Sequence, residues 1–158
     1  MAQNNLYSKK VLKIFGNPKN FGEIKNPDSI GKVGNIRCGD EMWLYLKINQ
    51  KDNQEIISDI KIKTFGCVAA IATSSVVADL ARGITLDKAL QINERSILKS
   101  TGPLPQVKIH CSLLASDALH EAIYNYLKKN NKIITPKLEK IHQKIVFKNK
   151  LLAKKFKL

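Results

Sequence analysis

The chain has 158 residues, of which 44% are hydrophobic, and this is enough apolar material for the core of one domain. Its net charge of +14 is uneven, because residues 128–158 hold 11 lysines and one acidic residue, so the basic character belongs to a tail. The longest uncharged run near the middle, residues 64–78, is shorter than the roughly 20 residues of a spanning helix. Residues 1–5 lack the apolar segment of a signal peptide. We therefore expect a cytoplasmic protein with no membrane partner.

The first third of the chain predicts a short helix, a loop and an edge strand. Tyr7, Val11 and Ile14 recur at helical spacing, and the pattern stops at Gly16, so an amphipathic helix opens the domain. A loop rich in glycine, asparagine and proline follows to about residue 32. Residues 33–37 are expected to add an edge strand.

The next segment predicts an antiparallel hairpin. Apolar and polar residues alternate over residues 42–49 and again over 60–63, and this period of two is typical of half-buried strands. Residues 51–54 separate the two runs and favour a turn. The apolar face of such a hairpin needs a covering layer.

Three predicted helices can supply that layer. Residues 68–81 are rich in small and apolar side chains, and Thr85 can cap a short helix that reaches Gln91. A longer helix from about Val107 to Lys128 has an apolar stripe formed by Ala115, Leu119, Ala122, Ile123 and Tyr126. Strands followed by helices indicate an α+β fold, with helices over a small antiparallel sheet of about three strands.

The basic tail is expected to form a helical extension, residues 131–158, after a main domain of residues 1–130. A loose apolar stripe runs through it, formed by Leu138, Ile141, Ile145, Leu152 and Phe156. We interpret it first as a solvated surface helix or a partly disordered segment. Contact with nucleic acid or another anionic surface is less favoured, because the tail has two aromatic residues and no base-reading motif.

Three cysteines are the candidate functional residues. Cys38 is followed by a glycine and Asp40, Cys67 separates a predicted strand from a helix, and Cys111 follows His110 at a predicted helix start. A helix N-terminus favours a thiolate, which is the form that binds metal or carries sulfur. An odd number of cysteines also argues against a disulfide framework. We expect all three to meet at one end of the sheet.

Other interpretations of these cysteines stay open. Any one of them could be a small buried hydrophobe, and no two form a CxxC pair. The same residues could hold one zinc ion as Cys₃Asp or Cys₂HisAsp, which would make the chain a zinc-binding sulfur acceptor. A thiol hydrolase is less favoured, because His110 and Cys111 would project about 100° apart on a helix.

Six segments in order resemble one family. The chain resembles the iron–sulfur cluster assembly scaffolds of the IscU/NifU N-terminal type over residues 7 to about 128. The matching segments are Tyr7-Ser8-Lys9-Lys10-Val11, Asn17-Pro18-Lys19-Asn20, Cys38-Gly39-Asp40, Lys63-Thr64-Phe65-Gly66-Cys67, Ala70-Ile71-Ala72-Thr73-Ser74-Ser75 and Lys108-Ile109-His110-Cys111-Ser112.

This resemblance implies a scaffold and not an enzyme. The scaffold would build a labile [2Fe–2S] cluster from iron and from sulfur supplied by a cysteine desulfurase, and would pass it to acceptor apo-proteins, with zinc bound in the cluster-free form. It implies Cys38, Cys67 and Cys111 as ligands, with Cys111 as the persulfide acceptor. Asp40 would be a ligand or a control on lability, and His110 an auxiliary ligand.

The resemblance leaves two partners open. The segment that a dedicated Hsp70-type chaperone reads in the family has two prolines, and here Gln106 replaces the second of them in Leu104-Pro105-Gln106-Val107-Lys108. The sequence also does not decide whether the chain forms a homodimer.

Overall fold

A computed structural model describes residues 6–156 as an α+β fold with a three-stranded antiparallel sheet in the order β1-β2-β3. The strands are β1 (Ser29–Gly34), β2 (Glu41–Lys51) and β3 (Gln54–Phe65). The helices are α1 (Lys9–Gly16), α2 (Val68–Ala81), α3 (Leu86–Ala89), α4 (Glu94–Thr101), α5 (His110–Lys129) and α6 (Pro136–Phe156), with a 3₁₀ turn at Gln106–Lys108. This architecture confirms the predicted fold class.

The hairpin of β2 and β3 has the predicted turn. Asp52 and Asn53 form a two-residue connection with φ values of 50° and 61°, the left-handed region that a type I′ turn requires. Met42, Leu44 and Leu46 of β2 are fully buried, as are Ile60 and Ile62 of β3. Alternation therefore predicted the core face of both strands correctly.

The edge strand was predicted too late in the sequence. β1 begins at Ser29 and ends at Gly34, whereas the expected strand covered residues 33–37. Its register is fixed by pairing with β2, from Ser29 opposite Leu46 to Gly34 opposite Glu41. Residues 29–32 include a serine, a glycine and a lysine, so local propensity did not show that they form a strand.

Helices α2 and α5 cover the buried face of the sheet. α2 has the predicted bounds, and Ala115, Leu119 and Ile123 of α5 are fully buried in the main core.

Two helices have bounds that differ from the prediction. α5 begins at His110 rather than near Val107, because Gln106–Lys108 forms a separate 3₁₀ turn. α3 ends at Ala89 and so is shorter than expected, although Thr85 caps it as predicted.

The predicted helical extension is confirmed for the residues that the structure describes, but the alternative of a partly disordered segment is wrong, and one face of the helix is buried rather than solvated. α6 runs from Pro136 to Phe156, and its Leu138, Ile145 and Leu152 are 3%, 2% and 8% exposed. It packs on α5 and β1, and Ile145 belongs to the main core. Within residues 6–156, none of the helices combines the length and apolar character that crossing a bilayer demands.

Candidate metal centre

A tight loop between β1 and β2 positions the first two candidate ligands. The Gly39 N–H donates to the Asn35 carbonyl at 2.8 Å, and the Asn35 N–H donates to the Asp40 carbonyl at 2.9 Å. Gly39 has a φ of 71°, a conformation that glycine adopts readily and that turns the chain sharply between Cys38 and Asp40. The Cys38 side chain is exposed, whereas Asp40 is only 5% exposed.

Two helix starts position the other two thiols. Cys67 is the N-cap residue of α2, directly after β3 ends, and Cys111 lies in the first turn of α5. The Thr73 hydroxyl of α2 donates to the Cys111 carbonyl at 3.2 Å and so fastens the two helices together at this point. Cys67 is half-buried and Cys111 is fully buried.

The five predicted site residues converge at one end of the sheet in two overlapping groups. In the inner donor group, Asp40, Cys67 and Cys111, the Sγ atoms lie 3.7 Å apart, and Asp40 Oδ2 lies 3.6 Å from Cys67 Sγ and 4.0 Å from Cys111 Sγ. The outer donor group consists of Cys38, Asp40 and His110, with 3.5 Å between Cys38 Sγ and His110 Nε2. Asp40 belongs to both groups.

These separations suit tetrahedral metal coordination. Two thiolate sulfurs bound to one metal at about 2.3 Å lie about 3.8 Å apart, and a sulfur and an imidazole nitrogen lie about 3.5 Å apart. The Cys67–Cys111 separation is 3.7 Å, and His110 Nε2 is 3.6 Å from Cys111 Sγ. The chain therefore holds the donor atoms close to binding distance before any metal is added.

The charge state of the paired thiols differs from the expectation. The hydrogen bond between the Cys67 and Cys111 thiols lowers the pKa of Cys67 to about 6 despite burial. The pKa of Cys111 is raised by that same hydrogen bond and then by its burial. A helix start was expected to favour the Cys111 thiolate; instead the protein favours the thiolate of Cys67.

Two further residues lie close enough to Cys67 for its charge to raise their pKa values. Neither was predicted from the sequence to be a site residue. The pKa of Lys108 is raised, first of all by the charge of Cys67, so its ammonium group balances the thiolate. Tyr7 packs against the small cluster that contains Cys111, and burial raises its pKa. Both residues lie in segments that carry the family resemblance, and their position there could have identified them as site residues.

His110 and Cys111 lie close together in space although they are neighbours on a helix. Their side chains do start about 100° apart, but the Nε2 atom is at the far end of the imidazole ring. The ring reaches back to 3.6 Å from Cys111 Sγ and also to 3.5 Å from Cys38 Sγ. His110 therefore lies between two thiols, so its Nε2 atom could bind a metal ion held by either of them.

Comparison with known proteins identifies the family to which this chain belongs. Residues 6–133 match the family described as "NifU-like N terminal domain". The chain belongs to this family. An "Iron-sulfur cluster assembly scaffold protein IscU 1" from Archaeoglobus fulgidus is 50% identical over 128 residues, which cover 81% of each chain. The corresponding scaffold protein from Aquifex aeolicus is 39% identical over 127 residues, which cover 80% of each chain.

A solved structure supports the family fold as well. The crystal structure of a nitrogen-fixing NifU-like protein (N-terminal) from Brucella abortus aligns with a TM-score of 0.58 and 25% identity, and covers 78% of this chain and 96% of that one. The family match ends at residue 133, so all of α6 lies beyond it.

Proposed function

We propose that this chain is a scaffold on which a labile [2Fe–2S] cluster is assembled and then transferred to acceptor proteins. The observation that supports this most strongly is the convergence of three cysteines with Asp40 and His110 in two donor groups that share one carboxylate. The names of its relatives point to the same function, since two of them are iron–sulfur cluster assembly scaffold proteins.

The division into two groups favours a cargo with two metal ions. Cysteine sulfurs are the usual protein ligands of iron–sulfur clusters, and each iron of a [2Fe–2S] cluster takes two of them. Cys67 and Cys111 are close enough to share one iron, and Cys38 with Asp40 or His110 would hold the other. A fourth ligand other than cysteine binds iron more weakly, and this suits a protein that must release its cargo.

The inner donor group could also hold a single zinc ion in the cluster-free form. Asp40, Cys67 and Cys111 supply three ligands, and His110 lies 3.6 Å from Cys111 Sγ and could supply the fourth. Zinc at this position would satisfy the same donors and keep the thiols from oxidation. Zinc in a purified sample is therefore compatible with the scaffold function.

Sulfur is proposed to arrive from a cysteine desulfurase as a persulfide on Cys111. In this step the Cys111 thiol first gives its proton to the Cys67 thiolate, 3.7 Å away, and then attacks the outer sulfur of the desulfurase persulfide; a new S–S bond forms, and the desulfurase cysteine leaves as a thiolate. Because Cys111 is fully buried, the docked desulfurase must uncover it. Mass spectrometry should find the added sulfur on the peptide that contains Cys111. Sulfur added to the Cys111→Ser variant at the same yield as to the wild type would contradict this role.

The scaffold function is tested by assembly followed by transfer. The reduced chain is incubated without oxygen with ferrous iron, a cysteine desulfurase, cysteine and a reductant, and iron and acid-labile sulfide are counted. Apo-ferredoxin is then added, and its activity measures transfer. We expect two irons and two sulfides per chain or per dimer, and restored ferredoxin. Stable zinc binding with no sulfide incorporated under any condition would contradict the proposal.

A further inference from the structure

Helix α6 contacts the loop that holds two of the candidate ligands. This ligand loop, residues 35–40, connects β1 to β2 and contains Cys38 and Asp40. α6 begins after the family match ends at residue 133, so these contacts are an addition to the domain that the family defines. Their effect on the metal centre is therefore a property of this chain's own tail.

Two polar side chains of α6 bind the backbone of this region. Lys155 donates from Nζ to the carbonyl of Ile36 at 2.9 Å, within the ligand loop itself. Six residues earlier in α6, Asn149 donates from Nδ2 to the carbonyl of Lys32 in β1 at 3.1 Å. The last turns of α6 thus contact both β1 and the ligand loop that follows it.

Two apolar side chains of α6 fill the space beside the same backbone. A Cβ built on Gly34 would lie 2.3 Å from Leu152 Cδ2, so Leu152 occupies the volume that only a glycine leaves free. A Cβ on Gly39 would lie 3.6 Å from Phe156 Cζ, in van der Waals contact. Phe156 therefore lies against the residue that turns the chain between Cys38 and Asp40.

The rest of α6 is firmly attached to the domain, so it can serve as a fixed support. Leu138 and Ile145 are buried, and the His142 ring stacks on Tyr124 with 3.7 Å between ring centroids. His142 Nδ1 also lies 2.9 Å from a carboxylate oxygen of Glu121, which is 7% exposed. These residues precede Lys155 and Phe156, which contact the ligand loop, by about three to five helical turns.

From these contacts we propose that α6 positions the ligand loop, and that Lys155 and Phe156 are the positioning residues. By holding the Ile36 carbonyl and the Gly39 turn, they keep Cys38 within 3.5 Å of His110. Loss of these contacts frees the loop, which carries Cys38 and Asp40, and so weakens metal binding by both donor groups, because Asp40 belongs to both. This inference rests on the proposed scaffold function, because it assigns the tail a part in retaining the cluster.

The test compares two double variants of the full chain. Lys155→Ala with Phe156→Ala removes both contacts to the loop. Leu151→Ala with Lys154→Ala removes one exposed apolar and one exposed lysine side chain from the same turns and serves as the control. All four positions are exposed, so both variants should fold, and Lys155→Ala alone is a milder third variant. Circular dichroism melts check that stability is retained.

The first readout is hydrogen exchange at the Gly39 amide, whose N–H is bonded to Asn35, in metal-free protein. The second is the zinc dissociation constant, measured by competition with a chelator. We expect exchange about tenfold faster and zinc binding about tenfold weaker in Lys155→Ala/Phe156→Ala, since outer contacts of metal ligands commonly have effects of this size. The control should stay within about twofold of the wild type.

The two proposals fail in different ways. If the chain assembles no cluster but the variant loosens the loop and weakens zinc binding, the scaffold function is wrong and the positioning role stands. If exchange and zinc affinity are the same in both double variants while the wild type assembles its cluster, the positioning role is wrong. Shorter cluster retention in Lys155→Ala/Phe156→Ala than in the control would support both.

Discussion

The carboxylate of Asp40 lies 3.6 Å from the sulfur of Cys67. Asp40 comes from the loop between two strands and Cys67 from the start of a helix, so their proximity is made by the fold. Because Asp40 is also in the outer donor group, its carboxylate is shared by the two groups of the site.

Asp40→Ala should give a scaffold that retains its cluster longer and transfers it more slowly. A carboxylate is a harder ligand than a thiolate or an imidazole, and His110 remains available to replace it. The measurement is the half-time of transfer to apo-ferredoxin, with the exposed Asp87→Ala as the control. Equal half-times for Asp40→Ala and the wild type would count against this role.

Gly66→Ala should reproduce the effect of Asp40→Ala without changing a ligand. A Cβ at Gly66 would lie 2.8 Å from Asp40 Cγ and 3.0 Å from Ala70 Cβ, so the carboxylate must move away. We expect slower transfer and a loss of about 1–3 kcal/mol in unfolding free energy from overpacking. Gly16→Ala is the matched control, since its Cβ would meet nothing within 4 Å. Transfer at the wild-type rate in Gly66→Ala would show that Asp40 tolerates the displacement.

Sequence patterns predicted the parts of the fold that depend on local periodicity. The alternation in residues 42–49 and the small-residue run of residues 68–81 each identified an element and its buried face. β1 was misplaced because its pairing, not its composition, makes it a strand. The packing of α6 was missed because lysines dominate its composition, although Leu138, Ile145 and Leu152 recur every seven residues and are buried.

The sequence selected the residues that the fold brings together, but it did not predict the pKa values of the paired thiols. The family segments named the five residues, and the fold brings them together in two groups. The helix start did not predict the raised pKa of Cys111, because a helix start says nothing about a second thiol 3.7 Å away. Which of two touching thiols loses its proton depends on burial and hydrogen bonding, and these arise only in the folded chain.

Alkylation of the reduced, metal-free chain should modify Cys111 last. Cys38 is exposed and Cys67 is half-buried, whereas Cys111 is 0% exposed, and a thiol must meet the reagent to react. Timed iodoacetamide treatment followed by peptide mass spectrometry should show Cys111 at least about tenfold slower than Cys38. In denaturant the three rates should become similar. Equal rates in the native chain would show that the site opens freely without a partner.

Glu55→Gln should destabilise the chain at neutral pH but not in acid. Burial alone would raise the pKa of Glu55, but hydrogen bonds from Lys132 and Tyr126, at 2.7 Å and 2.6 Å, outweigh it and lower the pKa. A carboxyl group with a lowered folded pKa contributes stability above its unfolded pKa, and this contribution is lost as pH falls through the folded pKa.

The expected loss for Glu55→Gln is about 1–2 kcal/mol at pH 7, disappearing as the pH falls through the lowered pKa of Glu55. Urea unfolding of this variant and the wild type across that range measures it. The exposed Glu41→Gln serves as the control and should show little change at any pH. A difference between Glu55→Gln and the wild type that persists in acid would mean that packing, not charge, explains the loss.

The most direct test of the scaffold account is a Mössbauer spectrum of the chain reconstituted with ⁵⁷Fe and sulfide without oxygen. The account predicts a [2Fe–2S] centre with two unequal iron sites, because Cys67 and Cys111 would hold one iron and Cys38 with Asp40 or His110 the other. Two quadrupole doublets of equal area are the expected result. A single mononuclear iron signal, with no sulfide bound, would contradict the account.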